Sequence, residues 1–112
     1  MAIVHEFRFT PAPGNTLISM QAWVETLPSD QKTEFYSALV RQDAAKSQAV
    51  QEGNLALVQD TNPDGTVAPA KFVWKDIAAA RENMPMDPVW LTYFHRYLSE
   101  NNITFDKIET EV

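Results

Sequence analysis

The sequence predicts one two-layer α+β domain, with four antiparallel strands covered on one face by helices. Three observations lead there. Residues 2–10, AIVHEFRFT, alternate strictly, placing Ile3, His5, Phe7 and Phe9 on one face and Val4, Glu6, Arg8 and Thr10 on the other. Two further β-rich runs, NLALVQD and TVAPAKFVW, flank the turn signal TNPDG. Helical patterns stand on both sides of that hairpin, and a last β-branched run, NITFDKIETEV, closes the chain.

The first strand ends at PAPGN, where Pro11 and Pro13 lack an N–H and Gly14 permits a turn. A helix is expected from Asn15 or Thr16, carrying Leu17, Met20, Trp23, Val24 and Leu27 on one stripe until Pro28 breaks it. Ser29 or Asp30 can cap the next helix, which runs to about Gln51 with Phe35, Tyr36, Leu39 and Val40 inward. Its later part, RQDAAKSQAVQE, is polar, so burial should weaken there, and Gly53 supplies a left-handed cap.

After the hairpin, Lys75 to Asn83 reads as a helix with Ile77 and three alanines, interrupted by MPMDP. Asp87 caps and Pro88 opens the final helix, DPVWLTYFHRYLSEN. Pro69 sits inside the third strand and cannot donate to a ladder. It calls for an edge, a bulge, or regular pairing only from Ala70 onward.

The order β-αα-β-β-αα-β, two crossovers around a hairpin, is the split β-α-β arrangement of ferredoxin-like folds. The chain of 112 residues is long enough for one core, so residues 1–112 are taken as a single domain. In element order it is also similar to the dimeric α+β barrels, a group of cofactor-independent oxygenases, isomerases and non-catalytic ligand binders. No residue motif of such a family occurs, and the first crossover, with two helices, is longer than those domains usually carry.

Composition excludes several functions. There is no cysteine, hence no disulfide, thiolate metal site or cysteine nucleophile. A net charge of −6, with both halves acidic and the basic residues scattered, disfavours nucleic acid, which needs clustered cations. No apolar run is long enough for a membrane span, and MAIVHEFRFTPAPG lacks the pattern of a signal peptide. With three glycines there is no phosphate-cradling loop, and no nucleophile elbow or H-E-x-x-H occurs.

Four places could carry chemistry. Asp60, Asn62, Asp64 and Gly65 resemble the start of a calcium loop, but its twelfth position, where a bidentate Glu belongs, is Lys71. The stretch therefore reads as a type I turn with a glycine bulge, and no metal is expected. In the last helix, Trp90, Leu91, Phe94, Tyr97 and Leu98 form a stripe with Tyr93 and His95 at its margins. Trp90, Tyr93 and His95 are candidates for a ligand pocket. His5 reads as a hydrogen-bonded core histidine. On the opposite sheet face Glu6, Arg8 and Lys71, with Asp106 if the register allows, could orient a polar ligand once a second sheet covers them.

The sequence thus points to a soluble, cytoplasmic, acidic homodimer without a cofactor that binds a small molecule or a protein without catalysis. The alternative is a cofactor-independent oxygenase- or isomerase-like enzyme of the dimeric α+β barrel type.

Overall fold

The computed structural model describes residues 1–63, 65–82 and 87–112. Asp64 of the turn and Asn83–Met86, which include the expected end of the third helical segment, lie outside them. The elements are β1 (Ile3–Thr10), α1 (Met20–Val24), α2 (Ser29–Gln51), β2 (Leu55–Thr61), β3 (Val67–Trp74), α3 (Ile77–Glu82), α4 (Pro88–Glu100) and β4 (Thr104–Glu111). The strands form one antiparallel sheet in the order β2-β3-β1-β4, which is the ferredoxin-like arrangement.

The two-residue period of β1 decides which side the helices cover. Ile3 and His5 are buried, whereas Val4 and Glu6 of the other face remain half-exposed. The core falls into two clusters on the helix side. In one, Ile3, Leu55 and Trp74 of the sheet pack on Ala49 of α2 and Ala79 and Ala80 of α3. In the other, Trp23 and Val24 of α1 meet Phe35 of α2, Tyr93 and Tyr97 of α4, and Ile103. Burying an aromatic or aliphatic side chain of this size contributes about 1.5–3 kcal/mol relative to leaving it in water.

Two helix assignments differ from the sequence reading. α1 begins at Met20 rather than Asn15 or Thr16, with Ser19 as its N-cap accepting from Ala22 N–H at 3.1 Å. The Ile18 carbonyl, which a longer helix would need, accepts instead from the Tyr97 hydroxyl at 2.5 Å. Leu17 and Ile18 pack against the second cluster without helical backbone. Along α2 the inward line is Phe35, Ala38, Gln42 and Ala49, a three-and-four spacing that turns Val40 out to 71% exposure. Small Ala38 lets α2 approach its neighbours, and bulk at position 40 is left in water.

Two helices close through a left-handed residue, the first of them as the sequence suggests. Gly53 (φ 75°) and Asn102 (φ 53°) each take a left-handed backbone just past a helix. Asn54 N–H then reaches the Ala49 carbonyl at 2.9 Å, and Ile103 N–H the Leu98 carbonyl at 3.0 Å. Both are the six-to-one bonds that satisfy a helix's last carbonyls.

At the hairpin tip, Gly65 N–H donates to the Asn62 carbonyl at 2.9 Å, and Gly65 has φ 85°. Asn62 binds Thr66 through both its backbone N–H and its side-chain amide, while Asp60 accepts from Thr61 N–H. Asn62, one of the residues that resembled metal ligands, thus helps to close the turn. Pro69 is accommodated by a bulge: Val58 pairs with Lys71 and Gln59 with Pro69, so Ala70 has no partner across β2. β1 joins β3 only from Lys71 to Trp74. The third strand is therefore central for half its length and one-sided at Pro69.

Candidate functional site

Alternation puts aromatic residues of three strands on the helix-facing side of the sheet. Phe72 of β3 lies edge-on to Phe7 of β1, with ring centroids 4.9 Å apart. Phe7 stacks on Phe105 of β4 at 6.2 Å, and Phe105 touches Phe9 at 5.1 Å. From above, Phe94 of α4 meets Phe105 edge-on at 5.1 Å, and Trp90, one turn earlier, stacks on Phe94 at 5.1 Å. All six rings are half-buried. They form a shelf between the two core clusters, and neither cluster includes Phe7 or Phe105.

At one end the shelf meets a polar network. Trp74 lies edge-on to Phe72 at 6.1 Å. Its indole N–H donates to His5 Nδ1 at 3.2 Å. An indole nitrogen only donates, so His5 Nδ1 is the acceptor and Nε2–H gives the 2.7 Å bond to Glu109 Oε2. Arg81 of α3 completes the network, its two terminal nitrogens each 3.0 Å from one Glu109 oxygen. This fork, followed by the His5 bond, holds the Glu109 carboxyl at about 2. His5 is fully buried and has both ring nitrogens engaged, as a core histidine should. It has no free nitrogen with which to act on a substrate.

The residues expected to converge under α4 separate. Trp90 joins the shelf. Tyr93 is buried at 4% exposure rather than marginal, because its face of α4 packs on α2 and its hydroxyl donates to Glu34 at 2.8 Å. Burial and then the Glu34 bond push the Tyr93 hydroxyl's pKa up. The Arg96 guanidinium lies 5.4 Å from the centre of the Tyr93 ring and 5.6 Å from that of Trp23, so it covers this cluster. His95 is exposed and, among the described residues, has no carboxylate in ion-pair reach.

On the open sheet face the expected residues do meet. Glu6 pairs in register with Lys71, and Arg8 with Asp106. Arg8 Nε donates to Glu6 at 3.2 Å. Around them Val4, Val73 and Ile108 are half-buried and Val58 is 46% exposed. No group of three or more His, Asp or Glu side chains suited to a metal ion occurs among the described residues. None of their helices is long and apolar enough to cross a membrane.

The sequence reading does not single out Phe72 or Phe105, and it takes Phe94 only as part of the α4 stripe. The signal was there: strand alternation aligns Phe7, Phe72 and Phe105 once the register of β1 with both neighbours is known.

No protein-family model and no curated protein matches the chain. A solved structure from Deinococcus radiodurans, provisionally assigned as an antibiotic biosynthesis monooxygenase, is similar over 100% of this chain and 92% of its own. The two are 14% identical with a TM-score of 0.41. The fold described above rests on sheet order and register, not on that likeness.

Proposed function

We propose that this chain is a non-catalytic small-molecule-binding domain that takes a planar apolar ligand on the aromatic shelf and works as a homodimer. One observation carries the reading: six rings in mutual contact, Phe7, Phe9, Phe72, Trp90, Phe94 and Phe105, remain half-buried on the side of the sheet where helices should cover them. Ring faces and edges of this kind attract another flat apolar body, and burying them removes aromatic surface from water.

Binding without catalysis fits the rest of the site. His5 has both nitrogens occupied, and the exposed His95 has no acid partner among the described residues. The open face supports self-association. Val4, Val73 and Ile108 form an apolar centre, and Glu6, Arg8, Lys71 and Asp106 supply both signs of charge for a two-fold contact.

The test uses 2-naphthalenemethanol as a neutral flat probe with the isotopically labelled protein. Dose-dependent shifts at the Trp90 indole and the Phe94 and Phe105 amides are the expected result. Saturable shifts confined to other surfaces, or none at millimolar probe, would overturn the reading.

A further inference from the structure

We propose that Lys107 selects the ligand of the shelf, favouring a planar aromatic molecule with an anionic group at its edge, such as an aryl carboxylate. The proposal rests on the shelf being a ligand site.

The side of the sheet to which Lys107 belongs follows from its neighbours two residues away. Phe105 touches Phe9 and Phe94, and Glu109 bonds His5, so both lie on the helix side. Lys107 falls between them on the same strand and shares that side. Its partner across the ladder is Phe7, the middle ring of the shelf. Side chains paired in this way stand about 5 Å apart at Cβ. The lysine stem, with three further methylenes, carries the ammonium over the rings or out beyond their rim.

Among the described residues this ammonium has no anion of its own. Glu109 is the adjacent carboxylate on its side of β4, and both Glu109 oxygens are taken by Arg81 and His5. Among the described residues no ion pair uses Lys107. Lys71 also lacks an ion-pair partner there, but it lies on the open face opposite Glu6. A protein of net charge −6 repels anions overall, so anion binding needs a local cation. Lys107 is such a cation, placed at the edge of an aromatic surface. It can meet a carboxylate without breaking a salt bridge.

Three probes of one shape separate this proposal from the reading beneath it: 2-naphthoate, neutral 2-naphthalenemethanol and 2-naphthylmethylammonium. Affinities are read from Trp fluorescence and from shifts of the shelf resonances. The wild type should bind the carboxylate about fivefold more tightly than the alcohol, the upper end for a pair formed at an exposed cation. Lys107→Gln should abolish that preference and leave alcohol binding unchanged. Lys107→Glu should reverse it toward the ammonium, and Lys71→Gln should alter nothing. Equal binding of carboxylate and alcohol, or a preference that survives Lys107→Gln, overturns the proposal and leaves the shelf as a binding site for neutral ligands. Failure of all three probes to bind removes the shelf reading and the proposal together.

Discussion

The indole N–H of Trp74 ends 3.2 Å from Nδ1 of His5, inside a core where both residues are fully buried. That bond fixes the ring's donor side toward Glu109, and through Glu109 it ties β1, β3 and β4 to Arg81 on α3. Replacing Trp74 by Phe should leave His5 Nδ1 without a donor and open space beside it. A loss of about 2–4 kcal/mol is expected. Urea unfolding checks it: the midpoint should fall with the slope unchanged. A midpoint equal to wild type would mean that water or a shifted ring replaces the indole at no cost.

Glu109 sets an acid limit. Its carboxyl is held at about 2 against an ordinary 4.5, so it is charged in the folded state where the unfolded chain would already bind a proton. A depressed carboxyl stabilises fully above the unfolded value, and that contribution drains away as pH falls toward the folded one. Thermal midpoints should therefore drop between pH 4.5 and about 2. Glu109→Gln should be less stable at neutral pH and show a shallower acid drop. Parallel acid profiles for the two proteins would exclude Glu109 as the cause.

Asp87 joins α2 to the start of α4. One carboxyl oxygen caps Val89 N–H and Trp90 N–H, each at 3.1 Å, and the other accepts from Arg41 Nε at 2.7 Å. Arg41, more than the capping amides, holds its pKa low. Asp87→Asn can keep the cap but loses the charge attraction, whereas Asp87→Ala loses both. The melting midpoint should fall in the order wild type, Asn, Ala, by a few degrees at most for a cap of this kind. An Asn variant as damaged as Ala would assign the effect to Arg41 alone.

Helix α2 offers an internal control. Val40 is 71% exposed and Ala38 fully buried. Val40→Thr should change stability by less than about 0.5 kcal/mol, whereas Ala38→Leu should cost about 1–3 kcal/mol by overpacking. Chemical denaturation of the two variants reads this directly, and the reverse order would rotate the helix.

The proposed dimer is tested on the open face. Val73→Arg and Ile108→Arg put charge at its apolar centre and should give a protein of monomer mass in sedimentation, still folded by circular dichroism. A wild type that already sediments as a monomer at high concentration removes the dimer from the proposal.

The hairpin and the buried His5 were legible because each is written locally, in turn chemistry and a lone polar residue on an apolar face, and the sheet arrangement followed from the order of the elements and the rules for crossovers. The start of α1 was not legible. It depends on a hydroxyl from Tyr97, seventy-nine residues away, claiming the Ile18 carbonyl. Val40 misled because its side chain is apolar, while the packing line runs through Ala38 and Gln42. Trp90, Tyr93 and His95 do not meet in one place: Trp90 stacks on Phe94, Tyr93 is buried with its hydroxyl on Glu34 of α2, and His95 is exposed. The shelf was hidden because it needs the register of three strands, which no local pattern encodes.

The bulge in β3 has a consequence for life in a crowded solution. From Val67 to Pro69 the strand is paired only with β2, and the register of β1 with it covers only Lys71 to Trp74. A bare rim of this kind invites a strand from another molecule. Pro69 stands in that stretch with no hydrogen to offer, and the unpaired Ala70 puts the neighbouring backbone out of step. A proline in that stretch removes one of the donors through which a second copy of this hairpin could pair.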